Sequence, residues 1–147
     1  MNEIKKIQLK GKTLPELKEW FVKKGEKPFR GEQVFNWMYN YLVDDVDQML
    51  NVSKSLREMI KNETVINTLE LTDKAVSGSE GTVKLLLRTA LDHLIECVII
   101  PEEKRCTLCV STQVGCPLDC KFCATGLLGY KRNLTPGEIF DQYAIAQ

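Results

Sequence analysis

Apolar positions follow helical spacing in the first sixty residues and strand-like alternation after that. Thr13-Leu14-Pro15-Glu16 has the form of a capping box with proline in the first turn, so a helix is predicted from there to about Lys24, where Gly25 stops it. Leu14, Leu17, Phe21 and Val22 are its predicted buried stripe. A second helix is predicted from near Gly31, burying Val34, Phe35, Met38 and Leu42, and the acidic stretch from Tyr41 to Asn51 reads as a short connection. A third helix is predicted from Ser53 or Ser55 to near Asn62, with Leu56 and Ile60 inward. Beyond Asn62 the texture changes. Residues 64–72 are β-branched and apolar, 73–81 hold turn residues, and 81–89 and 93–100 read as paired strands around a turn at Ala90–Asp92. Arg105–Ser111 is a further strand candidate, and Thr135-Pro136-Gly137-Glu138 is a second capping box that opens a helix from Pro136. The expected class is α+β, with a small helical domain over residues 1–70 and a strand-rich region over 71–147.

Composition changes this picture only locally. A chain of 147 residues fits one ordinary domain, or a small domain followed by an incomplete second one. The 20 Lys and Arg cancel the 20 Asp and Glu, so net charge points to no partner. From Met1 to Arg30, however, nine basic residues face four acidic ones, whereas residues 31–104 carry seven against thirteen. A basic N-terminus suits a polyanion, and a solvated helix face explains it equally well. No apolar run has the length of a signal peptide or a membrane span, so the expected compartment is the cytosol, where thiols stay reduced. All six cysteines lie within residues 97–123, and in such a compartment they read as metal or catalytic ligands before disulfides.

Three of them form the pattern Cys116-x3-Cys120-x2-Cys123 between a predicted strand and a predicted helix. A four-iron cubane normally takes four thiolates, and three leave one iron open. An open iron can be chelated by the amino and carboxylate groups of S-adenosylmethionine, and Phe122 fits a position that packs on that cofactor's adenine. Another pairing, Cys106-x2-Cys109 with Cys120-x2-Cys123, would make a four-thiolate zinc site, but it strands Cys116 and puts one half inside a strand. Cys97 and Cys106 read as buried inert thiols, and His93, the single histidine, as structural or exposed.

The run from Leu108 to Ile139, LCVSTQVGCPLDCKFCATGLLGYKRNLTPGEI, resembles the bacterial dual-specificity adenine-C2 RNA methyltransferases of the radical S-adenosylmethionine superfamily. The likeness extends through Ile95–Glu102 and, more loosely, through residues 81–84 and 29–38. The resemblance implies an enzyme that methylates an adenine of 23S rRNA and one of some tRNAs. Its cofactors would be S-adenosylmethionine and a [4Fe-4S] cluster held by Cys116, Cys120 and Cys123. Glu96 would be the proton acceptor and Cys109 a thiol used late in the reaction. Strand parity puts Glu96 on one face with Val98 and Ile100, either towards a core or, on an edge strand, towards water. Parity puts Cys109 opposite Leu108 and Val110, and the pattern alone makes it a core thiol.

In this family the methyl passes through a methyl-cysteine, and that cysteine and the main cofactor-binding motif would lie beyond residue 147. The chain is therefore expected to be an N-terminal fragment, inactive alone. It would hold a helical accessory domain with possible RNA contact, a β-extension and the first βα unit of a partial (βα)6 barrel. A monomer with no membrane association is expected. Two other readings stay open: a relative that methylates adenine C8, and a zinc-binding RNA module without catalysis.

Overall fold

The computed structural model describes residues 6–78, 80–118 and 120–147, so Ser79 in the expected turn and Asp119 in the cysteine loop lie outside it. Two compact units divide at Thr68/Leu69, and the molecule is a mixed α+β structure.

The first unit is helical: α1 (Leu14–Lys23), α2 (Phe29–Tyr39) and α3 (Lys54–Glu63), with a parallel two-residue pairing of β1 (Ile7–Gln8) and β2 (Thr64–Val65). The capping box opens α1, the Thr13 N–H donating to Glu16 Oε2 at 2.7 Å, and Gly25 at φ +80° follows its end. The buried stripe of α1 is Leu17, Trp20 and Phe21, not the predicted Val22, which is 50% exposed. Residues i, i+3 and i+4 share a helix face, and Val22 falls off it. In α2, Val34 and Met38 are buried as predicted, while Leu42 lies past the helix at φ 53°. Gly31 is where α2 meets α1: a Cβ there would stand 2.7 Å from Lys18 N and 2.8 Å from Lys18 Cα. The acidic connection does more than span a gap, because Val43, Val46 and Met49 turn into the same core as Phe21, Leu56 and Ile60. Each such side chain removed from water contributes roughly 1.5–3 kcal/mol.

The second unit is built on an antiparallel sheet in the order β3 (Leu69–Val76), β4 (Val83–Thr89), β5 (Leu94–Pro101), β6 (Cys106–Cys109). The strand predicted over 64–72 is split: Thr64–Val65 stays with the helical unit, and β3 runs on through the supposed turn to Val76, with an irregular register between Leu71 and Asp73. Leu85, Leu87, Ile95 and Cys97 alternate onto one face and form the core with Leu69, Val114 and Leu134. After β6 come β7 (Gln113–Val114), the cysteine loop with the single turn α4 (Ala124–Leu127), and β8 (Arg132–Asn133), which pairs antiparallel with β7. Helix α5 (Pro136–Ala146) starts at the second capping box, where the Thr135 N–H donates to Glu138 Oε2 at 2.8 Å. Its buried residues are Gly137 and the polar Glu138, Asp141 and Gln142, while Ile139, Ile145 and Ala146 pack partly buried against the core. No helix of the described residues is long and apolar enough to cross a membrane.

Candidate functional site

Strand register sorts the candidate residues by face. Ile95, Cys97 and Ile99 of β5 face the core, so Glu96 and Val98 lie on the opposite side of the sheet. Val98 pairs with Lys84 of β4 and with Cys109 of β6, which puts Lys84, Val98 and Cys109 in one row across three strands. Residues opposite each other in an antiparallel pair share a face, so Glu96 and Cys109 are diagonal neighbours there, their Cβ atoms about 7 Å apart. Glu96 does not point into a core; its carboxylate is half exposed and meets Lys84 Nζ at 2.9 Å. Cys109 is exposed too, so the core thiol expected from its parity is corrected: β6 is an edge strand, and the thiol lies on the face opposite the core residues Cys97 and Ile99. Cys106, expected to be buried, is likewise exposed, whereas Cys97 is buried and its thiol is pushed up by burial, with a smaller contribution from Cys109. Lys84 was not a candidate from the sequence. Its signal was there in the polar places of Val83–Thr89, where Lys84 and Arg88 alternate with inward Leu85 and Leu87.

β6 leads through β7 into the cysteine loop. Cys116, Cys120 and Cys123 are all partly exposed, and Phe122 is 94% exposed. Two glycine contacts fix the loop's backbone. Gly115, at φ +72°, lies where a Cβ would be 1.8 Å from Gly129 O, and a Cβ on Gly126 would be 2.9 Å from Leu118 O and 3.2 Å from Cys120 O. An open hollow of about 500 Å³ is lined by Cys116, Pro117, Gly126, Leu127, Gly129 and Tyr130. The backbone N–H groups of Gly126 and Thr125 hold the Cys123 thiol below its ordinary range, which favours the thiolate. The Leu118 N–H donates to Cys116 Sγ at 3.4 Å.

These features bear on which inorganic group the thiols suit. Among the described residues, no three Cys, His, Asp or Glu side chains gather closely enough to hold a metal ion. Cys106 and Cys109, three apart in one strand, project to opposite faces of β6 and cannot grip one zinc together. A cubane differs, because its ligand sulfurs sit on separate corners instead of meeting around one ion. Three thiols on a loop with two close glycine crossings match a cubane with one open iron in the number and kind of donor alone.

Behind the sheet, α5 contributes buried polar groups. Arg132 grips the buried Glu138 with two bonds, Nη1 to Oε2 at 2.8 Å and Nη2 to Oε1 at 2.7 Å. Gln142 reaches the backbone of Ser111, just past β6. His93, partly exposed in the β4–β5 turn, donates its N–H to Thr89 Oγ1 at 3.1 Å, a structural place. In the helical unit, the basic residues Lys18, Lys23, Lys24 and Arg30 stand beside Glu32, Glu19, Glu63 and Glu26 respectively, so much of the local basic excess is neutralised where it arises.

Residues 7–66 match the family described as the ribosomal RNA large subunit methyltransferase N-terminal domain. The chain is 43% identical over 143 residues to a probable dual-specificity RNA methyltransferase RlmN of Cytophaga hutchinsonii, covering 97% of this chain and 39% of that one. It is 46% identical over 138 residues to the dual-specificity RNA methyltransferase RlmN of Wigglesworthia glossinidia brevipalpis, covering 94% and 36%. A crystal structure of a radical SAM methyltransferase from Sphaerobacter thermophilus superposes with a TM-score of 0.88 at 38% identity, over 95% of this chain and 41% of that one. The chain thus spans about two fifths of the length of the relatives it matches.

Proposed function

Because the chain belongs to the RlmN family by its similarity along nearly its whole length, we propose that it forms part of a radical S-adenosylmethionine enzyme that methylates C2 of an adenine in 23S rRNA and in some tRNAs. The observation that carries this reading is the sharing of one open sheet face by Glu96 and Cys109, with Cys109 on the strand that runs into the cysteine loop. The relatives' description as dual-specificity favours two RNA substrates.

Cys116, Cys120 and Cys123 are the residues that would hold a [4Fe-4S] cluster. Bound there with S-adenosylmethionine, such a cluster supplies one-electron chemistry, which suits C2 of adenine: that carbon, between two ring nitrogens, is too electron-poor to attack a methyl group as a nucleophile. Phe122, with nearly all its surface outside, offers a flat apolar face for the cofactor's adenine. Glu96 accepts the C2 proton. It stands on an open face of the sheet, its carboxylate 2.9 Å from Lys84 Nζ. Cys109 presents an accessible thiol that would close a disulfide with the methyl-carrying cysteine, that cysteine's S–C bond to the product breaking as the S–S bond forms and its electron pair leaving with the product carbon. The helical unit serves as the accessory domain.

The test is Glu96→Gln in the complete methyltransferase. Methylation should be abolished, with cluster content and RNA binding near wild type. Normal turnover in that variant would reduce Glu96 to a surface ion pair with Lys84.

A further inference from the structure

The face that carries Glu96 and Cys109 depends on how the ends of β5 and β6 are held. Their ladder runs from Pro101↔Cys106 to Val98↔Cys109. Continued by its own register, it would set Ser111 opposite Glu96. There a side chain takes over, Ser111 Oγ donating to the carbonyl oxygen of Glu96 at 2.7 Å. Ser111 is itself gripped from behind: its N–H donates to Gln142 Oε1 at 2.7 Å, and Gln142 Nε2 donates to the Ser111 carbonyl at 2.8 Å. Gln142 is 0% exposed and Ser111 partly buried, so both bonds are partly sheltered from water and losing them costs more than at an open surface. A primary amide is the side-chain group that offers one acceptor and one donor at once to a backbone N–H and C=O. Glutamate lacks the donor and methionine lacks the strong pair.

We propose that Ser111, clamped by Gln142, is a positioning residue for the methyl-transfer chemistry: its hydroxyl ties the backbone of Glu96 to the segment that follows Cys109 and so fixes the base and the thiol relative to each other. The bond lands on the residue proposed as base, and its donor lies two positions along the chain from the proposed thiol. Helix α5, through one buried amide, thereby sets the spacing between two groups on the far side of the sheet. The inference rests on the roles proposed above for Glu96 and Cys109.

The experiment compares steady-state kinetics of Ser111→Ala, Ser111→Thr and Glu96→Gln in the complete, cluster-loaded methyltransferase. Small misplacements of reacting groups cost rate far more than binding, so Ser111→Ala should lower kcat by about tenfold or more. KM for the RNA and the melting temperature should stay near wild type, and Ser111→Thr, which keeps the hydroxyl, should restore kcat. Gln142→Glu, which removes the donor to Ser111, should lower kcat in the same way wherever the folded enzyme is recovered. Wild-type kcat in Ser111→Ala while Glu96→Gln is inactive would overturn the positioning role alone. A loss of kcat that tracks a rise in KM or a fall in melting temperature, or that threonine does not repair, would also overturn it. Normal turnover in Glu96→Gln would instead remove the underlying reading.

Discussion

Glu138 shows how one residue's surroundings decide its chemistry. Burial on the inner face of α5 would by itself push its carboxyl up, but the paired bonds from Arg132 and the Thr135 N–H outweigh burial and hold it below the ordinary value of 4.5. A lowered folded value means the carboxylate contributes stability that is fully present above about 4.5 and is lost as pH falls through the folded value. Denaturant midpoints taken from pH 7 downwards should therefore fall on the acid side in the wild type, and Glu138→Gln should lack that component. Arg132→Ala at neutral pH leaves the carboxylate without its main donor and should cost about 2–3 kcal/mol in unfolding free energy. The capping box at Thr135–Glu138 was legible in the sequence, because its spacing is local; the pair with Arg132 was not, since it depends on β8 coming back beside β7. The same holds for Glu96 and Cys109. Parity gave each its side of a strand, but whether that side meets a core depends on what is stacked against it.

Among the elements, the helices were the easiest to read and the strands the least certain. α1 and α3 follow from caps and apolar spacing, with Trp20 replacing Val22 because the stripe winds at helical pitch, whereas α2 follows from apolar spacing alone and starts at uncapped Phe29, two residues before the expected Gly31. The strand predicted over 64–72 failed as one element because β-branched residues there serve two partners, β1 in the helical unit and β4 in the sheet. Propensity reports that a segment suits a strand, and says nothing of which neighbour it pairs with. Two glycines give a test of packing at this scale. Gly31→Ala drives a Cβ into the backbone of α1 at Lys18 and should destabilise the helical unit by about 1–3 kcal/mol. Gly25→Ala meets nothing within 4 Å and should cost only the left-handed strain of roughly 1–2 kcal/mol. Thermal melts of the two variants should rank them in that order or together, and a neutral Gly31→Ala would contradict the close helix contact.

At the scale of the whole molecule, the cysteine set separates the chemical readings. After anaerobic reconstitution, the protein should show broad sulfur-to-iron charge-transfer absorption that fades on reduction, as thiolate-held clusters do. Alanine at Cys116, Cys120 or Cys123 should abolish it, and alanine at Cys97 or Cys106 should leave it intact. A colourless protein with stoichiometric zinc, lost in Cys106→Ala and kept in Cys116→Ala, would overturn the cluster assignment.

What the sequence determined by itself was everything carried by short-range spacing: the capped starts of α1, α3 and α5, the alternation of β4 and β5, and the three-cysteine pattern of the loop. These are covalent and local, and a window of a few residues contains their cause. The tertiary structure decided which faces are covered, that Glu96 and Cys109 share one, and that Lys84 and Ser111 stand beside Glu96. Those facts require residues far apart in the chain to meet. Register, edge position and layer order set such meetings, and no local pattern records them.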